Sequence, residues 1–263
     1  MNIGISTASL FMRKTTEDAL EFLGENGVDV AEVFLESYCE YNKEFGRLLN
    51  ERKGQTSVHS VHVLTTQFEP QLYSVNERAK ADSFKLLDMA MQAGESFGAK
   101  YYTFHGGARF KKTPFTINYD RVGSITQDIY NVAKSHGITL AYENVHWGYY
   151  NYFGFFSELK KHVPNLKATL DIKQARQSDI HYKEFIKDMG EGIVTVHLSD
   201  YLESGKMCLP GKGVTDFADL FKRLKDVNFN GALILEAYQN DYGELNELLQ
   251  SLDYIKELSY KIF

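Results

Sequence analysis

Cysteine is scarce: Cys39 and Cys208 are the only two in 263 residues, far apart and outside any CxxC pair. That argues against a disulfide framework and a thiolate metal site, and it fits a reducing, cytoplasmic setting. Positive charge is short as well, 29 Lys and Arg against 35 Asp and Glu, giving a net charge of −6. Phosphate contacts need a positive surface, so nucleic acid is disfavoured as a default partner. No run approaches the ~18 uninterrupted apolar residues of a membrane span. The opening Met-Asn-Ile-Gly-Ile-Ser has neither the basic head nor the apolar stretch of a signal peptide. Only four prolines occur, and no low-complexity run, charge block or composition shift marks a linker. One domain over residues 1–263 is expected. No GxGxxG follows the first strand, so the nucleotide signature of a doubly wound sheet is missing.

What is present is an alternation of strands and helices. Strand character recurs at 3–6, 28–35, 57–62, 100–105, 138–143, 166–171, 193–197 and 232–236. Between these lie helical stretches at about 15–26, 41–53, 74–97, 119–136, 155–162, 173–189 (broken) and 216–226, with a last one over 244–258. Thr16 is placed to cap the first helix, Glu17 and Asp18 suit its positive end, and Gly27 closes it. A polar loop is read over 106–114. Eight such units without a linker make a single α/β (β/α)8 TIM barrel the economical topology.

Four strands end on a metal-capable side chain: Ile138-Thr-Leu-Ala-Tyr-Glu143, Leu166-Lys-Ala-Thr-Leu-Asp171, Ile193-Val-Thr-Val-His197 and Ala232-Leu-Ile-Leu-Glu236. Each residue alone reads as an ordinary solvated loop residue. Four in succession, about 25 to 40 residues apart, match consecutive units of a barrel whose strand ends open on one face. Three carboxylates and one imidazole suit a single divalent ion, Mn²⁺, Mg²⁺ or Zn²⁺. Such an ion polarises a carbonyl beside a hydroxyl and eases formation of an enediolate, with a neighbouring carboxylate taking the α-proton.

Leu140-Ala-Tyr-Glu-Asn144, Thr169-Leu-Asp-Ile172, Val194-Thr-Val-His-Leu-Ser-Asp200, Leu209-Pro-Gly-Lys-Gly213 and Leu235-Glu236-Ala237 together resemble the xylose-isomerase-like TIM-barrel superfamily. His62, Glu69-Pro70 and Phe104-His105-Gly-Gly107 extend the likeness to the earlier strands. That group holds sugar-phosphate isomerases and epimerases, ketose 3-epimerases and endonuclease IV. The resemblance implies Glu143, Asp171, His197 and Glu236 as metal ligands, with Glu143 and Glu236 also the paired acid and base. It implies His62 and His105 as pocket histidines. Gln174 stands where the family often has a histidine, and it cannot shuttle a proton. A trinuclear centre of the endonuclease IV kind lacks that ligand.

Lys173, Arg176 and Lys212 are placed to meet an anionic substrate group or to sit solvated in loops. Gly211 and Gly213 either present backbone N–H groups to a ligand or form a plain turn. Trp147, with Tyr149, Tyr150, Tyr152, Phe153, Phe155 and Phe156, forms an aromatic cluster that stacks on a sugar, covers a homo-oligomer interface or packs under a loop. His146 is a candidate partner of the Glu143 region, and His136 a favourable helix-end charge. Glu143 and Glu236 (catalytic), with His62, His105, Gln174, Lys173, Trp147 and Lys212 around the substrate, make up the expected site. The expected activity is a metal-dependent isomerase or epimerase on a small sugar or polyol. A hydrolase or dehydratase, an endonuclease-IV-like phosphoesterase and a non-catalytic sugar-binding protein are the alternatives.

Overall fold

The computed structural model describes residues 1–64, 68–109 and 116–263. Residues 110–114 of the loop read over 106–114 lie outside the described residues. In chain order, β1 (Asn2–Ser6), α1 (Thr16–Glu25), β2 (Val30–Leu35), α2 (Lys43–Arg52) and β3 (Ser57–Val63) come first. Next are α3 (Glu69–Leu72), α4 (Glu77–Phe97), β4 (Tyr101–Phe104), α5 (Tyr119–Ser135), β5 (Thr139–Glu143), α6 (Phe155–Lys160) and β6 (Lys167–Asp171). Then follow α7 (Ile172–Gln177), α8 (Tyr182–Met189), β7 (Ile193–Leu198), β8 (Asp200–Tyr201), β9 (Met207–Cys208), α9 (Phe217–Asp226), β10 (Ala232–Leu235) and α10 (Leu245–Tyr260).

Short polar caps start the helices. Asn42, Asn76, Asn118 and Asp216 each accept a backbone N–H of the first turn. In α1 the cap is Thr15, one residue before the Thr16 expected from sequence; the Thr16 hydroxyl bonds inward to Phe34 O and Glu40 instead. The helix read over 74–97 begins at Glu77, because Asn76 Oδ1 accepts from Arg78 and Ala79 and breaks it from α3.

The strands close in the order β1-β10-β7-β6-β5-β4-β3-β2, each pair parallel, so the expected (β/α)8 barrel is what forms. Side chains alternate along a strand, so every second residue faces the barrel axis and the rest pack under the helices. The outward set (Val33, Leu35, Val61, Leu140, Leu170, Val196 and Leu233) belongs to the main buried apolar cluster. The inward set is different: Val30, Ala232 and Ile234 form a small separate apolar plug, and polar residues lie above it. The β8–β9 hairpin in the loop after β7 has no signal in the sequence periodicity, since its strands are two residues each. Among the described residues no helix is long and apolar enough to cross a membrane.

β1 approaches β2 so closely that a Cβ on Gly4 would collide with the Val30 carbonyl oxygen. Gly4→Ala is expected to lower unfolding stability by about 1–3 kcal/mol, the usual range for overpacking. Urea denaturation checks this, and an unchanged midpoint would contradict it.

Candidate metal centre

Register brings the strand-end residues together. Asp171 pairs with His197 across β6 and β7, and the Glu236 backbone N–H donates to Leu198 O at the end of β10. His197 Nδ1 lies 3.1 Å from Glu143 Oε1, 3.0 Å from Glu236 Oε2 and 3.9 Å from Asp171 Oδ2. One ligand atom from each of the four falls within 4.8 Å of all the others, and all four residues are buried. Asn144 sets this spacing: its Nδ2 donates to Asp171 O and its Oδ1 accepts from Asp171 N, both at 2.8 Å. This pins the end of β6 to that of β5.

The far side of the imidazole is held by an acid that the strand-end pattern misses. His197 Nε2 sits 3.1 and 3.2 Å from the two oxygens of Glu32, in the middle of β2. Glu32 is fully buried and also accepts from the hydroxyls of Ser6, Ser60 and Thr103. Burial alone would raise its pKa, but the positive His197 overrides this and holds it at about 2. An ionised Glu32 fixes Nε2 as the N–H side, leaving Nδ1 to face the three strand-end carboxylates. Glu32 was legible only as an acid among the apolar neighbours of its strand.

A second buried pair lies beside the first. His105 Nδ1 is 2.7 Å from Glu69 Oε2, and Tyr102 OH donates to Glu69 Oε1. Burial would lower the His105 pKa, but the Glu69 charge prevails and lifts it to about 9. His105 Nε2 lies 3.3 Å from Glu143 Oε2. His62, packed edge-on against His105 at 4.5 Å, is pushed down to about 3 by burial and by the neighbouring positive His105. Burial lifts Glu143 to about 7. Glu236 moves the other way: burial would raise it, but His197 and then Lys173 hold it well below its ordinary value.

These groups open into a pocket of about 330 Å³, lined by His62, His105, Glu143, Asp171 and Glu236 with Trp147, Lys173, Gln174 and Tyr238. Phe11, Phe34, Ala8 and Leu64 supply its apolar wall. Lys173 Nζ is 4.0 Å from Asp171 Oδ2 and 4.0 Å above the Tyr238 ring. Burial would lower the Lys173 pKa, yet Asp171 and Glu236 raise it, so the ammonium stays charged. Lys212 is not brought here: it is exposed and is not among the lining residues. Its loop curls around Asp200, which accepts from Tyr201, Gly211, Gly213 and Thr215 backbone N–H groups. The glycine N–H groups are therefore committed to a turn, and a Cβ on Gly213 would strike Tyr201 O and Asp200. Arg176 lies over the Tyr201 ring at 3.9 Å, lining a separate cavity of about 590 Å³ between α7, α8 and α9. Among the described residues both groups of clustered metal-capable side chains have members lining the smaller pocket, which makes it the candidate site. In the aromatic cluster, Tyr150, Phe155 and Phe156 are buried, with Tyr150 stacked on both phenylalanines, which fits packing under the loop. His136 binds Asp88 and Glu95 at a helix end, and His146 bonds to Gln174.

The residues present fit a divalent ion. Glu143 Oε2 is buried, lies 3.3 Å from Nε2 of the positive His105 and makes no hydrogen bond among the described residues, so it keeps lone-pair capacity for a cation. Five buried carboxylates, Glu32, Glu69, Glu143, Asp171 and Glu236, lie among two positive imidazoles, His105 and His197, and the Lys173 ammonium, so the cluster keeps an excess of negative charge. Three oxygens and one nitrogen are a donor set for Mn²⁺, Mg²⁺ or Zn²⁺.

The family model for the xylose isomerase-like TIM barrel matches residues 19–258, and the chain belongs to that family. No curated protein sequence matches it. Among solved structures it is similar to a D-tagatose 3-epimerase-like protein, at 20% identity and TM-score 0.77, over 100% of this chain and 98% of that one. The D-psicose 3-epimerase of Clostridium cellulolyticum H10, crystallised with D-tagatose, gives 14% identity and TM-score 0.81 over 100% and 99%. The IolI protein with a bound zinc atom gives 16% and 0.78 over 100% and 99%. At these identities the likeness establishes the fold.

Two outcomes are expected. Glu32→Gln, which removes the charge orienting His197, should weaken Zn²⁺ affinity about 10- to 100-fold, read by calorimetric titration. An unchanged affinity would mean that Glu32 has no part in the centre. In metal-free protein, the stability contributed by His105 should be fully present below its ordinary pKa of 6.5 and lost as pH rises through about 9. Urea midpoints should therefore fall over that range, and fall less in Glu69→Gln.

Proposed function

We propose that this protein is a divalent-metal-dependent isomerase or epimerase of a small sugar or polyol, moving a proton between two carboxylates. The observation that carries the reading is the convergence of Glu143 and Glu236 on His197 Nδ1, at 3.1 and 3.0 Å, with opposite shifts in acidity. Glu143, Asp171, His197 and Glu236 would hold one ion, Mn²⁺, Mg²⁺ or Zn²⁺. Such an ion supplies Lewis-acid polarisation of a substrate carbonyl.

The side chains do the rest. Glu236, kept ionised by His197 and Lys173, is the carboxylate suited to take a proton from the carbon beside a carbonyl. Glu143, buried and shifted to about 7, is the one able to carry a proton near neutral pH and return it. Lys173 neutralises charge beside Asp171, and His62, His105 and Gln174 provide polar contacts along one wall. Trp147 and Phe34 wall the pocket against water, and its volume of about 330 Å³ suits a monosaccharide-sized molecule. The similar structures, a D-tagatose 3-epimerase-like protein and a D-psicose 3-epimerase with D-tagatose, support a sugar as the substrate class. The zinc in the IolI structure supports the metal. The unpaired Cys39 and Cys208 support a cytoplasmic setting.

Glu236→Gln is expected to reduce solvent-deuterium incorporation into a ketohexose panel by about 10²- to 10⁴-fold, the usual scale for a general base. Exchange measured by NMR in D₂O with Mn²⁺ present decides it. Full exchange in the variant would remove Glu236 from proton transfer.

A further inference from the structure

The pocket wall holds one side chain whose two ends are chemically different yet hard to tell apart by shape, the amide of Gln174. Its backbone neighbours settle which end is which. The His146 backbone N–H can only donate, and it lies 3.1 Å from the atom at the Oε1 position. That atom must therefore be the carbonyl oxygen. The same oxygen lies 2.6 Å from His146 Nδ1, and an oxygen acceptor facing a ring nitrogen at that distance requires the proton on Nδ1. The imidazole is thus the Nδ1–H tautomer, with Nε2 bare when the ring is neutral.

The frame around this contact is fixed from both sides. Gln174 N donates to Asp171 Oδ1 at 2.8 Å, starting α7 on a metal-capable acid. Asn151 Nδ2 donates to His146 O at 3.0 Å, holding the loop after β5. Gln174 Nε2 has no protein partner among the described residues, and the residue lines the pocket.

We infer that His146 is a positioning residue that locks the Gln174 amide, so that this side chain meets substrate only as an N–H donor. An oxygen that accepts there, a carbonyl or a hydroxyl through its lone pair, is taken; a protonated amine at that position is refused. The amide also carries no proton away, so Gln174 itself takes no part in proton transfer. The substrate statement rests on the sugar reading above, whereas the lock does not.

Two measurements separate these. Long-range ¹H–¹⁵N NMR of the imidazoles is expected to show His146 as the Nδ1–H tautomer, shifting toward a mixture in Gln174→Leu. An Nε2–H tautomer in the unmodified protein would overturn the lock, whatever the substrate. With D-fructose as probe and Mn²⁺ present, His146→Ala should raise KM about 3- to 10-fold, one lost hydrogen bond, with kcat within about twofold. His146→Asn, whose side-chain NH₂ occupies the place of Nδ1, should recover most of that. Gln174→Glu should raise KM at least about 10-fold, because its second oxygen replaces the donor. Equal effects of Ala and Asn at position 146, or none from either, would reject the positioning role. If the unmodified protein neither binds nor exchanges D-fructose, the sugar reading fails for this probe and the tautomer alone decides the lock.

Discussion

A single buried contact, Glu32 to His197 Nε2, is what the rest of the centre depends on. Without it the imidazole would be free to choose its tautomer and turn, and Nδ1 would have no fixed direction. With it, one face of the ring is spent on an ionised acid, and the other is presented to Glu143, Asp171 and Glu236. Glu32 in turn could not stay ionised in the barrel without His197 and the three hydroxyls around it.

That arrangement follows from strand periodicity. The metal-capable residues and the layer beneath them are two positions apart on the same strands: His62 over Ser60, His105 over Thr103, Asp171 over Thr169, His197 over Thr195. The lower layer is mostly small hydroxyl residues with the Glu32 carboxylate, together with Ala141 under Glu143 and Ile234 under Glu236. A barrel filled only with aliphatic side chains would be drier but would have nothing to orient the imidazole. The hydroxyls are short enough to fit the interior and polar enough to satisfy Glu32.

The strand endings made the barrel and the four clustered residues legible, because a carboxylate or histidine terminating an apolar run leaves a mark in one dimension. Glu32 and Glu69 left only a weak one. Both are acids brought to the site by strand register and by packing between units, and their partners are 26 to 165 residues away in sequence. Lys212 shows the reverse error. Its loop looked like an anion site, but Asp200 takes up the N–H groups that made it attractive. Gln174 was legible as a departure from a familiar pattern, while its orientation could be known only from His146, folded onto it from another strand end.

Titration of metal-free protein with Mn²⁺ and Zn²⁺ by calorimetry, alongside Asp171→Ala, tests the centre most directly. One ion bound per chain, with binding lost or much weakened in the variant, is the result expected from Glu143, Asp171, His197 and Glu236 acting as one ligand set. No uptake of either ion, or uptake indifferent to Asp171→Ala, would contradict a metal centre at these strand ends.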